Sequence, residues 1–175
     1  MKPMRLRPAA TLAEIGVVAA LYAAITIVLN PLSYGPLQLR VAEILKPLVV
    51  WEPHLIPAFV IGNFLSNLTS PFAGPWELIF MPCANLVGAS LCYVVGRRSP
   101  AAGAALFAIV IAAAVSLVLS VLLKVRFVFL FPGLLASEMT LLLLGVPAMQ
   151  AVRRALEPVR RRYGETRELG NAGTR

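Results

Sequence analysis

The sequence predicts an all-α integral membrane protein, a compact bundle of about six transmembrane helices with both termini in the cytoplasm. Three observations lead there. Of 175 residues, 59% are hydrophobic and only 14% are charged, with a mean hydropathy of +0.81. A soluble domain of this size exposes too much surface to hide that much apolar area, and ordinary globular chains carry about 25% charged residues. The apolar residues also fall into segments separated by Pro, Gly and short charged loops. Finally, twelve of the sixteen Lys and Arg lie at the chain ends or at Arg97-Arg98, and only Arg40, Lys46, Lys124 and Arg126 lie elsewhere. Positive residues collect on the cytoplasmic side, which turns the loops at 32–39, 69–76 and 124–126 outward.

The first span covers about Leu12–Leu29 and stops at Asn30-Pro31, because a proline pushes the residue before it out of the helical region. Met1–Arg7 ahead of it imitates a signal peptide, but more apolar spans follow, so the segment leads into a retained helix. Ser33-Tyr34-Gly35-Pro36 reads as a turn in the loop that comes next. The second span, about Leu39–Trp51, is interrupted by Arg40, Glu43 and Lys46, and the third covers about His54–Leu68. Both fall short of the ~20 residues of a straight crossing. The fourth spans Glu77–Val95, the fifth Ala101–Leu123 and the sixth about Phe127–Val152. Residues 1–152 thus form the membrane domain and 153–175 a basic cytoplasmic tail. Its Arg153, Arg154, Arg160, Arg161, Arg162, Arg167 and Arg175 suit topology and anionic lipid headgroups. They lack the run of interleaved stacking aromatics that a nucleic-acid surface uses.

Several chemistries find no support. Cys83 and Cys92 are nine residues apart, on opposite sides of one helix, and cannot pair. There is no Gly-rich phosphate loop ending in Lys-Ser/Thr, so the chain cannot itself use ATP. No Gly-x-Ser-x-Gly is present, and the single His54 sits at the inner edge with no ligand cluster in sequence. No enzyme activity, metal or cofactor is expected. Without an internal repeat, an inverted-repeat secondary transporter is also disfavoured.

The polar residues inside the spans carry the functional reading. Glu138 lies eleven residues into the sixth span, ~16 Å down, where an ionisable side chain costs at least ~2.5 kcal/mol and marks function. The alternative is a packing pair with Lys46. Arg40, Glu43 and Lys46 recur every three residues, either as a neutralised helix end or as the lining of a polar cavity. Glu77 opens the fourth span, where helix N–H groups favour a carboxylate, and Asn85 lies two turns on. Asn63 and Asn67 share a face of the third span, as interhelical glue or as ligand contacts. Tyr34, Phe72 and Trp76 are interface aromatics or a stacking lid. Ala19, Ala20, Ala23 and Ala24 make two overlapping small-xxx-small pairs for close helix docking, within the chain or on another subunit. Together these suit a small, flat, donor-rich ligand entering from outside.

The stretch Asn30-Pro31-Leu32-Ser33-Tyr34-Gly35-Pro36-Leu37-Gln38-Leu39-Arg40-Val41-Ala42-Glu43 resembles the signature that follows the first helix in QueT-type proteins. These are the substrate-binding (S) components of energy-coupling factor (ECF) transporters for queuosine precursors. Ala20-Leu21-Tyr22-Ala23, Gly62-Asn63-Phe64-Leu65-Ser66-Asn67-Leu68, Ala136-Ser137-Glu138 and Leu144-Gly145-Val146-Pro147 are similar to further family patterns. Glu77 in place of an aspartate, Met81-Pro82-Cys83, and Lys46-Pro47 in a mostly apolar stretch depart from them.

The resemblance implies a six-helix S component of the bacterial cytoplasmic membrane that binds 7-cyano- or 7-aminomethyl-7-deazaguanine. It also implies, as partners, a transmembrane coupling subunit and two ECF ATPases, with the helix-one alanines as the docking surface. Glu138 or Glu77 would grip the guanine-like edge, and a second carboxylate would meet an aminomethyl cation. Asn67, Asn85 or Gln38 would donate to the ring carbonyl, and Trp76 or Tyr34 would stack on the ring; Arg40 and Glu43 belong to the same pocket. An S component for another small nutrient and a non-transporting membrane scaffold subunit are the alternative functions.

Overall fold

The computed structural model describes residues 8–35 and 38–172, with side chains through residue 158. Met1–Arg7, Pro36 and Leu37 of the signature stretch, and the side chains of Arg160, Arg161, Arg162, Arg167 and Arg175 lie outside what it describes. Among the described residues the regular structure is all helical.

Helix α1 (Pro8–Val28) ends before Asn30-Pro31. The chain then takes one further turn, α2 (Asn30–Ser33), instead of passing directly into a loop. Pro31 stands in its first turn, where its missing N–H is no loss. Next comes a ten-residue 3₁₀ helix, Val41–Val50, and then a single 3₁₀ turn, Pro53–Leu55, that leads into α3 (Ile56–Asn67). A π turn, Trp76–Phe80, runs continuously into α4 (Met81–Gly96), where Pro82 withholds a backbone donor. Ser99 caps α5 (Pro100–Leu123) by accepting from the Ala102 N–H at 3.3 Å. Helix α6 (Phe127–Ala172) continues past Val152 through the basic segment.

Helices Pro8–Val28, Trp76–Gly96, Pro100–Leu123 and the Phe127–Pro158 part of α6 are each long and apolar enough to cross a membrane. From the sequence, 39–51 is expected to be an ordinary short helix; the structure corrects this to a 3₁₀ rod. Its rise of ~2.0 Å per residue, against ~1.5 Å for an α-helix, carries ten residues about 20 Å. Contacts with α3 and α1 mark the course of the rod and the turn after it. Arg40 lies by Asn67 near the Asn30 end of α1, Glu43 meets Tyr22 halfway along, and His54 meets Glu14 near the other end. Asn30 itself bonds the Thr69 carbonyl at 3.3 Å.

Helix α5 is the hub, burying Ala104, Phe107, Ala108, Ile111, Ala112 and Val115 between α4 and α6. Helix α6 packs on the 3₁₀ rod, and α1 packs on α3. A Cβ added at Gly62 of α3 would stand 2.9 Å from the Ala19 carbonyl oxygen, so the α1–α3 crossing requires the glycine. The distribution of side chains inverts that of a soluble protein. Leu12, Val17, Val28, Ile79, Val87, Val94 and Phe129 are exposed, whereas Arg40, Glu43, Lys46, Glu77 and Glu138 are buried. Such an exterior is stable only against hydrocarbon, and ionisable groups within a membrane bundle face its interior.

Candidate functional site

Three-residue spacing is what a 3₁₀ helix converts into a straight row, because side chains at i and i+3 eclipse. Arg40 at the cap, Glu43, Lys46 and Val49 are accordingly all buried in one line. The row is neither a solvated helix end nor neutralised along itself alone, since its members turn to different helices.

At the Asn30 end, the Arg40 guanidinium donates from Nη1 to Asn67 Oδ1 at 3.2 Å and from Nη2 to Gln38 Oε1 at 3.4 Å. It sits 4.9 Å above the Tyr34 ring and 4.0 Å from Glu77 Oε1. Tyr34 donates to the Ser66 carbonyl at 2.7 Å. Burial raises the Tyr34 phenol above its ordinary pKa and keeps it a neutral donor. Asn67 donates from Nδ2 to the Glu77 carbonyl at 2.9 Å, tying α3 to the π turn. Gln38 holds a left-handed backbone, φ 44°, which a non-glycine residue adopts only when its surroundings enforce it.

Deeper, Lys46 Nζ pairs with Glu43 Oε2 and lies 4.9 Å from the centre of the Phe107 ring and 5.5 Å from that of Tyr22. Tyr22 donates to the other Glu43 oxygen at 2.6 Å. Glu138 of α6 is buried within electrostatic reach of Glu43, Lys46 and Arg40. The Glu138–Lys46 packing pair that the sequence allows does not form; Lys46 is taken by Glu43. Among the described residues, Glu138 Oε2, Glu77 Oε2, Asn63 Nδ2, Asn85 Oδ1 and Arg40 Nε are buried without a hydrogen-bond partner. Buried polar atoms are nearly always satisfied, so each of these open groups calls for an explanation.

The fold therefore brings Tyr34, Gln38, Arg40, Asn67 and Glu77 into one bonded cluster and sets Glu43 and Glu138 beneath it. Asn85 is buried on α4, and its Nδ2 donates to the Met81 carbonyl at 3.1 Å. Trp76 stands apart, 43% exposed and edge-on to Phe80 at 6.0 Å. The four alanines divide: Ala19 and Ala23 are buried in the bundle, whereas Ala20 and Ala24 face outward. Tyr22, which the sequence marked only as part of Ala20-Leu21-Tyr22-Ala23, is a site residue whose role the sequence did not single out. A phenol midway along an apolar helix, on the face of Ala19 and Ala23, was the available signal. His54 is less isolated than its sequence surroundings indicate: Nε2 lies 2.8 Å from Glu14 and Nδ1 3.8 Å from Glu52, and Arg153 reaches Glu52 at 3.8 Å. Both cysteines are free.

An apolar-surfaced helical bundle enclosing partly unsatisfied charged groups defines a multi-pass protein of the cell membrane with an internal polar site. The QueT transporter family model matches residues 12–154, and the chain belongs to that family. It is thus a transporter component of the S type, and the family is not one of enzymes. No curated protein and no solved structure matches the chain.

Proposed function

We propose that this chain is the substrate-binding subunit of an ECF-type importer, capturing 7-cyano- or 7-aminomethyl-7-deazaguanine from outside and delivering it inward as partner ATPases cycle. The observation that carries the proposal is the family match across residues 12–154. The buried cluster supports it chemically. A guanine-like edge presents a ring N–H and an exocyclic amine side by side, which one carboxylate accepts as two charge-assisted hydrogen bonds. Glu77 suits that role, because its pairing with Arg40 at 4.0 Å is electrostatic and its Oε2 is unpartnered. Asn63 Nδ2 and Arg40 Nε are open donors for a ring carbonyl.

The remaining features follow the same reading. The 3₁₀ rod and α3 serve as the second and third of six crossings, with both termini cytoplasmic by the distribution of Lys and Arg. A coupling subunit docks on the outward Ala20 and Ala24, and two ATPases supply the energy. Calorimetric titration of the purified protein in detergent, with both precursors and riboflavin as control, tests the ligand. Binding of either precursor without riboflavin binding is the expected result. Absence of heat with both, from protein shown to be folded, would overturn the ligand assignment. Affinity capture of the tagged chain from membranes of a host supplying the coupling subunit and ATPases tests the partnership.

A further inference from the structure

Asn67, the last residue of α3, is buried, and both N–H groups of its side-chain amide are taken. Nδ2 donates to the Glu77 carbonyl at 2.9 Å and to Asn63 Oδ1 at 3.4 Å. Oδ1 accepts from Arg40 Nη1 at 3.2 Å, with the Tyr34 hydroxyl 3.4 Å away. The neighbours dictate this orientation of the amide, because a guanidinium only donates and a carbonyl only accepts. No N–H of Asn67 is left for a carbonyl group of the ligand. Asn63, one turn earlier on α3, is the opposite case: its Nδ2 is buried and open.

The bond to Glu77 fills a gap that the sequence creates. In the π turn, the Met81 N–H bonds the Trp76 carbonyl five residues back. In the same register residue 82 would serve the Glu77 carbonyl, but Pro82 has no N–H to give. A buried carbonyl without a donor is costly, and the Asn67 amide supplies from α3 what the helix itself cannot. Arg40 holds the other end of the same amide, so the 3₁₀ rod, α3 and the π turn meet at one side chain. We infer that Asn67 is a positioning residue, which holds the π turn and thereby sets where the Glu77 carboxylate stands, and that Asn63 is the residue of α3 that meets the ligand's carbonyl. The inference rests on the proposed function and deepens it, since Glu77 is the carboxylate assigned there to the guanine-like edge.

The test reads the turn without ligand and the site with it. Trp76 is the first residue of the turn, and Trp51→Phe leaves it as the single tryptophan. In that background Asn67→Leu should shift Trp76 emission and its quenching by acrylamide, whereas Asn63→Leu should leave both unchanged. A hydrogen bond to a charged group is worth at least about tenfold in affinity. Asn67→Leu, which leaves Glu77 unaimed, should therefore weaken binding of 7-cyano- and 7-aminomethyl-7-deazaguanine by at least that factor, and Asn63→Leu should weaken it with Trp76 undisturbed. Lost affinity in Asn67→Leu with an unchanged Trp76 signal would make Asn67 a ligand contact and overturn the inference. A shifted signal with full affinity would overturn the link to Glu77, and full affinity in Asn63→Leu would overturn the assignment of Asn63. Should Asn67→Leu fail to fold, Asn67→Ser, whose hydroxyl ends one bond short of the amide nitrogen, is read in the same way. Failure of both compounds to bind folded wild type would instead overturn the proposed function, while the Trp76 signal still decides whether Asn67 holds the turn.

Discussion

Replacing Lys46 by methionine should destabilise the bundle more than replacing Lys46 and Glu43 together. Their side chains are 0% and 1% exposed, so solvent does little to screen the pair. Removing one partner of a buried ion pair leaves the other charged and unpaired, a loss of about 3–5 kcal/mol, whereas replacing both is often neutral or stabilising. Methionine fits the space, since Lys46 runs between the Phe107 and Tyr22 rings and a thioether packs well on aromatics. In the double variant, Glu43→Gln keeps an oxygen for the Tyr22 hydroxyl. For a chain of this length, each kcal/mol moves Tm by roughly 2–4 °C. Lys46→Met alone should then lower the melting point in detergent by roughly 6–20 °C, and the addition of Glu43→Gln should restore most of it. Tryptophan fluorescence during thermal unfolding reads both. Equal losses in the single and double variants would show that the pair contributes no coupling, and would refute its placement in a water-free interior.

Other perturbations separate the roles of individual contacts. A Cβ at Gly145 would stand 2.5 Å from the Ile44 carbonyl oxygen; Gly145→Ala should cost about 1–3 kcal/mol as an overpacking change. It should also weaken ligand binding, because Glu138 lies two turns away on the same face of α6; thermal melting and titration measure the two effects. Lys124 holds a left-handed backbone at the end of α5, φ 55°. Lys124→Gly should therefore raise Tm by a few degrees, through relief of about 1 kcal/mol. Ala20→Leu and Ala24→Leu should leave Tm unchanged and abolish capture of the coupling subunit. Ala19→Leu should lower Tm sharply, because Gly62 and the Ala19 carbonyl already meet there.

Much of this arrangement was legible in the residues. The Arg40, Glu43 and Lys46 row and the midplane position of Glu138 follow from counting along the chain, and membrane depth makes each of them expensive enough to stand out. The pairing did not follow. Viewed as an α-helix, residues three apart diverge by about 60°, leaving Glu43 between two cations and Lys46 open to Glu138. In the eclipsed 3₁₀ geometry Lys46 pairs with Glu43, and the α6 carboxylate stays outside that pair. That winding was hidden because 3₁₀ runs beyond three or four residues are uncommon, and here packing by α6 and α1 sustains one. The fate of the alanines was equally undecidable in one dimension. Positions 19 and 20 differ by about 100° around α1, and only the location of Gly62 determines which of them is covered.

The rod also constrains how the chain can vary. With three residues per turn, inserting or deleting a single residue between Arg40 and Val49 rotates everything beyond it by about 120°. The downstream charge would then swing from the interior toward hydrocarbon. Length changes in this stretch are tolerable only in whole turns, so the segment behaves as a reading frame of three in which a slip of one corrupts every later position.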